Sequence, residues 1–216
     1  MKRPLRLLGG RRHQSPVGTG ARPTTSLVRE AVINFLAPRL PNCAWLDLCS
    51  GSGVMSCEAL EHGARKVVAI EKNKKTAQIC QANLLATSKG LKTSQNSVEV
   101  IHQDVLYWLK NELNTQSLNA NSKESRDRFD LVYLDPPYDS NLYFPILKAL
   151  LKGKWLNADS LVVCEHSAKH DLSTPEDWEE KDRRLYGTTA LLLINPLLEK
   201  SSFDTDSMQP QIDQAT

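Results

Sequence analysis

The sequence lacks the features that would place the protein in a membrane or outside the cell. Its longest apolar stretch, residues 189–198, is broken by Asn195 and Pro196 and is far too short to span a bilayer. The N-terminus has no apolar segment of the kind that marks a secretory signal. We therefore expect neither a membrane span nor export.

Cysteine and histidine are present, but not at the spacings that bind metals. The five cysteines form no CxxC pair, and the five histidines show no metal-ligand spacing with them. Thiols in apolar or helical surroundings are usually buried and reduced, which is typical of a cytoplasmic protein. We predict a cytoplasmic monomer without a metal.

Acidic residues are absent from residues 1–29, which contain seven lysines and arginines. The formal net charge of the whole chain is +2, so residues 30–216 carry a net charge of −5. A concentrated positive segment on a slightly acidic body favours a polyanionic partner, although a solubilising tail has the same charge pattern.

Hydrophobic residues make up 40% and charged residues 24% of the 216 residues, as expected for one globular domain. Apolar strands alternate with segments of helical periodicity, and the last two strands follow each other through Gly187 without a helix between them. This order predicts an α/β fold with a doubly wound, mostly parallel sheet and a C-terminal antiparallel strand pair. The predicted helices cover residues 26–37, 54–61, 76–86, 105–109 and 142–151, and the predicted strands cover residues 44–49, 66–71, 98–102, 129–135, 161–165, 182–186 and 189–194.

Three segments are predicted along the chain: a basic N-terminal arm over residues 1–24, the folded domain over residues 25–198, and a disordered tail over residues 199–216. Thr25 is a suitable N-cap for the first helix. Two polar stretches, residues 87–97 and 114–127, are expected to be surface loops.

The first strand ends in a glycine-rich turn that is suited to binding a nucleoside. Asp47 precedes Gly51 and Gly53, which let the backbone turn sharply and approach a ligand. Glu71 ends the second strand about 20 residues later, where an acid accepts hydrogen bonds from ribose hydroxyls, and Asp104 follows the third strand. The pattern predicts a nucleoside crevice, because the carboxyl ends of parallel strands meet at one edge of the sheet.

The fourth strand ends in Asp135-Pro136-Pro137-Tyr138. The lone pair of a base amino nitrogen is conjugated into the ring, which makes the nitrogen a poor nucleophile. The carboxylate of Asp135 and the carbonyl of Pro136 can accept its two hydrogens, and Tyr138 offers a face for stacking. Beside a nucleoside crevice, this motif predicts S-adenosylmethionine-dependent methylation of an exocyclic amino group on a nucleic-acid base. Arg11, Arg12 and Arg22 would then hold phosphates.

Further residues occur in the order found in one known family. They are Leu7-Leu8-Gly9-Gly10, Arg22-Pro23-Thr24-Thr25, Arg29-Glu30, and Tyr186-Gly187, together with the residues 47–53 turn, Glu71 and residues 135–138. Over residues 5–195 the chain resembles the RsmD family of bacterial ribosomal RNA methyltransferases. The resemblance implies a seven-stranded Rossmann-like methyltransferase fold, S-adenosylmethionine as cofactor, and a guanine N2 in small-subunit ribosomal RNA, naked or in an assembling subunit, as substrate.

Two alternatives remain. DNA adenine-N6 methyltransferases share the motif of residues 135–138, but they generally need a separate target-recognition region, for which this chain has no spare length. An RNA-binding factor that has lost catalysis need not keep Asp135, Glu71 and both glycines.

Overall fold

The structure is a computed structural model that describes residues 5–15, 24–91, 98–118, 128–137 and 141–198. The predicted tail of residues 199–216 lies outside these ranges. Five helices are described: α1 Ser26–Leu36, α2 Val54–Glu61, α3 Lys74–Gly90, α4 Val105–Leu118 and α5 Tyr143–Lys152. The strands described are β1 Leu5–Arg6, β2 Arg12–His13, β3 Ala44–Leu48, β4 Lys66–Glu71, β5 Val98–His102, β6 Phe129–Leu134, β7 Leu156–Ser167, β8 Trp178–Tyr186 and β9 Thr189–Pro196.

Seven of these strands form one mixed sheet in the order β5-β4-β3-β6-β7-β9-β8. The five strands from β3 to β7 are parallel, whereas β9 pairs antiparallel with both β7 and β8. The chain order reverses at β3, where β4 lies on one side and β6 on the other. The predicted fold class is therefore confirmed, and a crevice outside the carboxyl ends of β3 and β6 is where such sheets bind ligands.

Alternate residues of the strands pack against different helices. Trp45 and Tyr133 belong to the core that includes α1, α2 and α3. Leu46 and Leu134 belong to the core that includes α4 and α5. Because successive strand residues point to opposite faces, this division places helices on both sides of the sheet.

Polar side chains cap the N-termini of two helices, α1 and α3. Thr25 caps α1, since its hydroxyl accepts from the Val28 amide at 3.3 Å, as predicted. Asn73 caps α3 in the same way, accepting from the Thr76 amide at 3.1 Å.

The first residues of both predicted loops belong to helices in the structure. α3 continues to Gly90, and Thr87 and Ser88 are buried in it, so a polar segment forms part of the helix's inner face. α4 continues to Leu118, into the stretch of residues 114–127 that was predicted to be a loop. β7 and β8 are also longer than predicted, because polar residues at their ends continue the pairing.

Most side chains of the outer strand β8 are charged. Its residues 179–184 are all charged, three acids and three bases, and a register shift interrupts its pairing with β9 between Glu180 and Asp182. Arg183 and Arg184 form ion pairs with Glu180 and Asp182 at 3.0 and 2.7 Å.

Residues 5–15 of the predicted arm pack against the domain. β1 pairs antiparallel with β2, and Leu7 between them is 3% exposed. The Leu8 amide donates to Glu58 at 2.9 Å, and Glu58 forms a buried ion pair with Arg29 at 3.1 Å. Arg29 also donates to the Arg6 carbonyl at 3.0 Å. This hairpin, residues 5–13, is thus held by α1 and α2, and the division into arm, domain and tail stays a prediction.

Candidate active site

The turn after β3 is the sharp turn that its glycines predict, with positive φ angles that glycine adopts readily. Gly51 and Gly53 have φ angles of +55° and +75°, and Cys49 has a φ of +65°. A Cβ on Gly53 would lie 2.5 Å from the Cys80 sulfur, so α3 packs too closely for any side chain there. Gly53 begins α2 without a side-chain cap, and the Asp47 carboxylate accepts from the Ser56 amide in the first turn of that helix.

Asp47 is buried under this turn. Its carboxylate accepts a hydrogen bond of 2.5 Å from the Ser56 hydroxyl on α2. Burial, opposed by the bond from Ser56 and assisted by the negative charge of Glu71, raises its pKa to about 7. Asp47 therefore ties the turn to α2, and its predicted contact with a cofactor stays a prediction.

Glu71 joins the ends of β3 and β4. One carboxylate oxygen accepts from the Gly51 amide at 2.9 Å and the other from the Asn73 amide at 2.6 Å. Each carboxylate oxygen has a second lone pair, so these bonds leave acceptor capacity for ribose hydroxyls. The glycine turn and Glu71 are thus brought together, as the spacing predicts.

Asp104 lies at the start of α4. It accepts from the amides of Leu106 and Tyr107 at 3.0 and 3.2 Å and from Lys72 at 3.1 Å. Burial opposes its ionisation, but these bonds outweigh burial and lower its pKa. In the structure, Asp104 caps the N-terminus of α4, at the edge of the sheet where the glycine turn lies.

Asp135 follows β6 directly beside the glycine turn. Its amide donates to the Leu48 carbonyl at 3.4 Å, and Pro136 behind it is buried. Burial, and then the negative charges of Glu165 and Asp47, raise its pKa well above the ordinary range of an aspartate. Tyr138 lies outside the described residues.

Cys49 shows that the predicted acids converge. Burial first, and then the charges of Glu71, Asp135, Asp47 and Asp104, raise the pKa of this thiol to about 12. Four carboxylates from four different strand ends therefore act on one side chain. An edge lined with four carboxyl groups suits a cationic ligand such as a sulfonium.

The predicted phosphate-binding residues are placed differently from one another. Arg11 donates to Glu61 at 2.7 Å and is partly buried. Arg12 is exposed on β2. Arg22 lies outside the described residues.

His13 connects the hairpin to the glycine turn, which the sequence did not predict. Its Nε2 lies 3.3 Å from the Ser52 hydroxyl and 3.0 Å from Asn83 Nδ2. Because an amide nitrogen only donates, His13 can accept from Asn83 only when its ring is neutral and Nε2 is unprotonated. The carbonyls of Ser52 and Gln14 also lie 3.0 Å from Asn83 Nδ2, so His13 and these two carbonyls share its two hydrogens. No local sequence pattern marks this contact, which joins residues 39 to 70 positions apart.

Glu165 and Tyr133 are further residues beside Asp135 that the sequence did not single out. Glu165 is 3% exposed and accepts a hydrogen bond from the Tyr133 hydroxyl. The one available signal was a carboxylate ending the predicted strand of residues 161–165 at the same edge of the sheet.

Within the described residues, no group of three His, Cys, Asp or Glu side chains could hold a metal ion. No helix in that part of the chain is long and apolar enough to cross a membrane.

Comparison with known proteins identifies the family. Residues 6–195 match a family described as conserved hypothetical protein 95. Ribosomal RNA small subunit methyltransferase D from Haemophilus influenzae is 34% identical over 159 residues, covering 74% of this chain and 75% of that protein. The chain belongs to the RsmD family. The predicted family and the enzyme class, methyltransferase, are therefore confirmed.

Solved structures of other proteins have the same fold. A putative methyltransferase from Escherichia coli is 26% identical with a TM-score of 0.68, covering 89% of this chain and 97% of that one. Another putative methyltransferase, complexed with SAH, is 15% identical with a TM-score of 0.60 and matches 79% of this chain and 50% of its own. At that identity the second likeness shows the fold alone.

Proposed function

We propose that this RsmD-family protein methylates a guanine N2 amino group in small-subunit ribosomal RNA, with S-adenosylmethionine as methyl donor. The observation that carries the proposal is the position of Asp135 and Pro136 directly beside the glycine turn, on the edge where β3 and β6 end. The small-subunit target is taken from the name of the Haemophilus relative.

The cofactor site is built from the turn and the acids around it. Residues 51–53, the first amides of α2, and Glu71 would hold the nucleoside and its amino-acid part, with Asp47 and Asp104 fixing the loops behind them. When bound, S-adenosylmethionine supplies a methyl group on a positively charged sulfur, which the surrounding carboxylates would stabilise.

Asp135 and Pro136 would act on the target base. The carboxylate and the backbone carbonyl accept the two amino hydrogens, which localises the nitrogen lone pair and directs it at the methyl group. A carboxylate with a raised pKa is also the better acceptor of the proton that the nitrogen loses. Tyr138 would stack on the base, as predicted from the motif.

The basic N-terminal segment would bind the RNA backbone. Arg12 is exposed on a hairpin that also contacts the glycine turn through His13, so phosphate contacts there lie near the methyl donor. Arg22 is proposed to act in the same way. Arg11 would do so only by exchanging its bond with Glu61 for a phosphate. We propose that the enzyme acts as a cytoplasmic monomer.

The test is transfer of a labelled methyl group from S-adenosylmethionine to small subunits and to naked small-subunit RNA, followed by nucleoside analysis. We expect N2-methylguanosine as the labelled product. Labelled N6-methyladenosine, with DNA also accepted, would instead support the adenine alternative. RNA binding without any transfer would support the non-catalytic alternative.

A further inference from the structure

A second carboxylate lies beside Asp135 on the neighbouring strand. β6 and β7 are parallel and pair Leu134 with Cys164, so the next residue of each strand is Asp135 and Glu165. Residues in register on parallel strands point to the same face of a sheet. Asp135, directly after β6, and Glu165, within β7, therefore lie next to each other on the face covered by α1, α2 and α3.

The side chain and the backbone of Glu165 are both fixed. The Tyr133 hydroxyl donates to the carboxylate, and the Tyr143 hydroxyl donates to the Glu165 carbonyl at 2.6 Å. Tyr133 is itself stacked on Trp45, with ring centroids 6.0 Å apart and an interplanar angle of 18°. Both rings are buried, so Glu165 has little freedom to move away from Asp135.

A purely structural link between β6 and β7 would not need a charge at this position. A glutamine would accept the same hydrogen bond from Tyr133, and it would avoid burying a second carboxylate next to Asp135. Two neighbouring carboxylates repel, which makes each one bind a proton more readily. The extra negative charge therefore has its effect on Asp135.

We propose that Glu165 is a positioning residue for methyl transfer, whose buried and Tyr133-anchored carboxylate makes Asp135 a stronger proton acceptor. The proposal rests on the proposed function, in which Asp135 contacts the target amino group. In that step the nitrogen lone pair forms the new N–CH3 bond, and the C–S bond breaks with its electron pair going to sulfur. The nitrogen then loses one proton, whose N–H bond is replaced by an O–H bond on Asp135.

The described groups around Asp135 agree with this role. Asp47 on β3, Cys49 after it, Tyr133 on β6 and Glu165 on β7 are titratable, and all of them are acids. After burial, Glu165 has the largest effect on the pKa of Asp135, ahead of Asp47.

The pH dependence of single-turnover methyl transfer separates this role from a structural one. With the wild-type protein, we expect the rate to fall on acidification at a pH well above 4. Glu165→Gln keeps an acceptor for Tyr133 but removes the charge, so the midpoint of this fall should move to lower pH by about one unit or more. Glu165→Asp keeps the charge and should keep the midpoint high. Glu99→Gln removes an exposed carboxylate from the outer strand β5 and should leave the profile unchanged.

An unchanged midpoint in a folded Glu165→Gln protein would overturn the proposal. If that variant does not fold, carboxyl-carbon NMR titration of the wild-type protein gives the answer, because Asp135 should titrate in two steps coupled to Glu165. Titration of Asp135 in one step near pH 4 would then overturn it. Failure of the proposed function is a different result, namely no methyl transfer to RNA by the wild-type protein at any pH.

Discussion

Some residues at the carboxyl edge of the sheet affect both the stability of the fold and the proposed activity. Asp135 is half-buried among other acids, which costs folding energy, yet this environment is what suits it to accept protons. Glu71 is satisfied by two backbone amides and stabilises the turn that it is proposed to share with the cofactor.

Asp135→Asn should lower the rate of methyl transfer and raise the stability of the fold. We expect methyl transfer to fall by about 100- to 1000-fold, since the amide oxygen still accepts a hydrogen bond but can neither carry the negative charge nor take up the proton, while the cofactor dissociation constant stays nearly the same. Rapid-mixing transfer assays and calorimetry measure the two quantities. Near-normal turnover by the variant would remove Asp135 from the site.

The same substitution should stabilise the fold. A carboxyl whose pKa is raised on folding favours the folded state when protonated, and this stability is lost as the pH rises above its unfolded pKa, near 4. At pH 7 the neutral asparagine is therefore expected to raise the free energy of unfolding by about 1 kcal/mol, or Tm by roughly 2–4 °C. If Asp135→Asn had a lower Tm than the wild-type protein at pH 7 and a higher one at pH 3, the predicted direction of the effect would be wrong.

Glu71→Ala should weaken cofactor binding. Loss of a charge-assisted hydrogen bond costs roughly 1.5–3 kcal/mol, which corresponds to about a 10- to 150-fold higher dissociation constant. Calorimetry with S-adenosylmethionine checks this, and Glu99→Ala on the adjacent strand β5 is the matched control. Wild-type affinity in the Glu71 variant would exclude the proposed ribose contact.

At the scale of elements, the N-terminal hairpin is attached to the domain through a histidine that must stay neutral. Burial is the main cause that lowers the pKa of His13 to about 4, against the weaker, opposite effect of a backbone hydrogen bond at Ser52. Protonation of its ring would replace an acceptor by a donor facing the amide of Asn83.

Acid should therefore loosen the hairpin. Since the folded pKa of His13 is below its unfolded value of 6.5, its contribution is complete above pH 6.5 and is lost as the pH falls towards 4. The loss is at most about 3 kcal/mol. The difference in unfolding free energy between the wild-type protein and His13→Gln should shrink over this range, as measured by denaturant titrations. A difference independent of pH would contradict a neutral, buried His13.

Whole strands and helices were predicted best where apolar residues define them. β4 Lys66–Glu71, β5 Val98–His102 and α2 Val54–Glu61 match the prediction at both ends. α3 was predicted to end too early, because Thr87 and Ser88 are polar yet buried within it. Burial of polar groups depends on tertiary partners, which local periodicity does not contain.

In the candidate site, the residues at the ends of apolar strands were predictable from the sequence, and the others were not. Asp135 and Glu71 could be selected because each ends an apolar strand, and strand ends of a parallel sheet share one edge. The contacts of Glu165 depend on the register of β6 with β7, and those of His13 on the docking of the hairpin. Neither register nor docking can be determined from the residues of one segment.

At the scale of the whole molecule, positive charge is concentrated at one end of the chain, and part of it lies on the hairpin beside the candidate site. Arg12 is exposed there, whereas Arg11 is paired with Glu61. Charge on this side of the sheet can guide RNA to the acidic crevice without specifying the base.

Arg12→Ala should weaken RNA binding and flatten its salt dependence. The slope of log K against log salt should decrease by about 0.7 for one lost contact to a single-strand phosphate. Lys152→Ala, at the C-terminal end of α5, removes one charge from the opposite edge of the sheet and is the matched control. Equal slopes for the two variants would show that Arg12 makes no phosphate contact.

The charged outer strand β8 has a consequence for how the protein behaves in a crowded solution. An open sheet edge is a template on which a second chain can add a strand, and a row of charged side chains with a register shift discourages this. Replacing Glu180, Asp182 and Arg184 together by valine would leave the fold's core intact but create a long apolar edge beside the exposed Leu185. We expect such a protein to self-associate and aggregate on mild heating, which light scattering would detect while the wild-type protein stays clear.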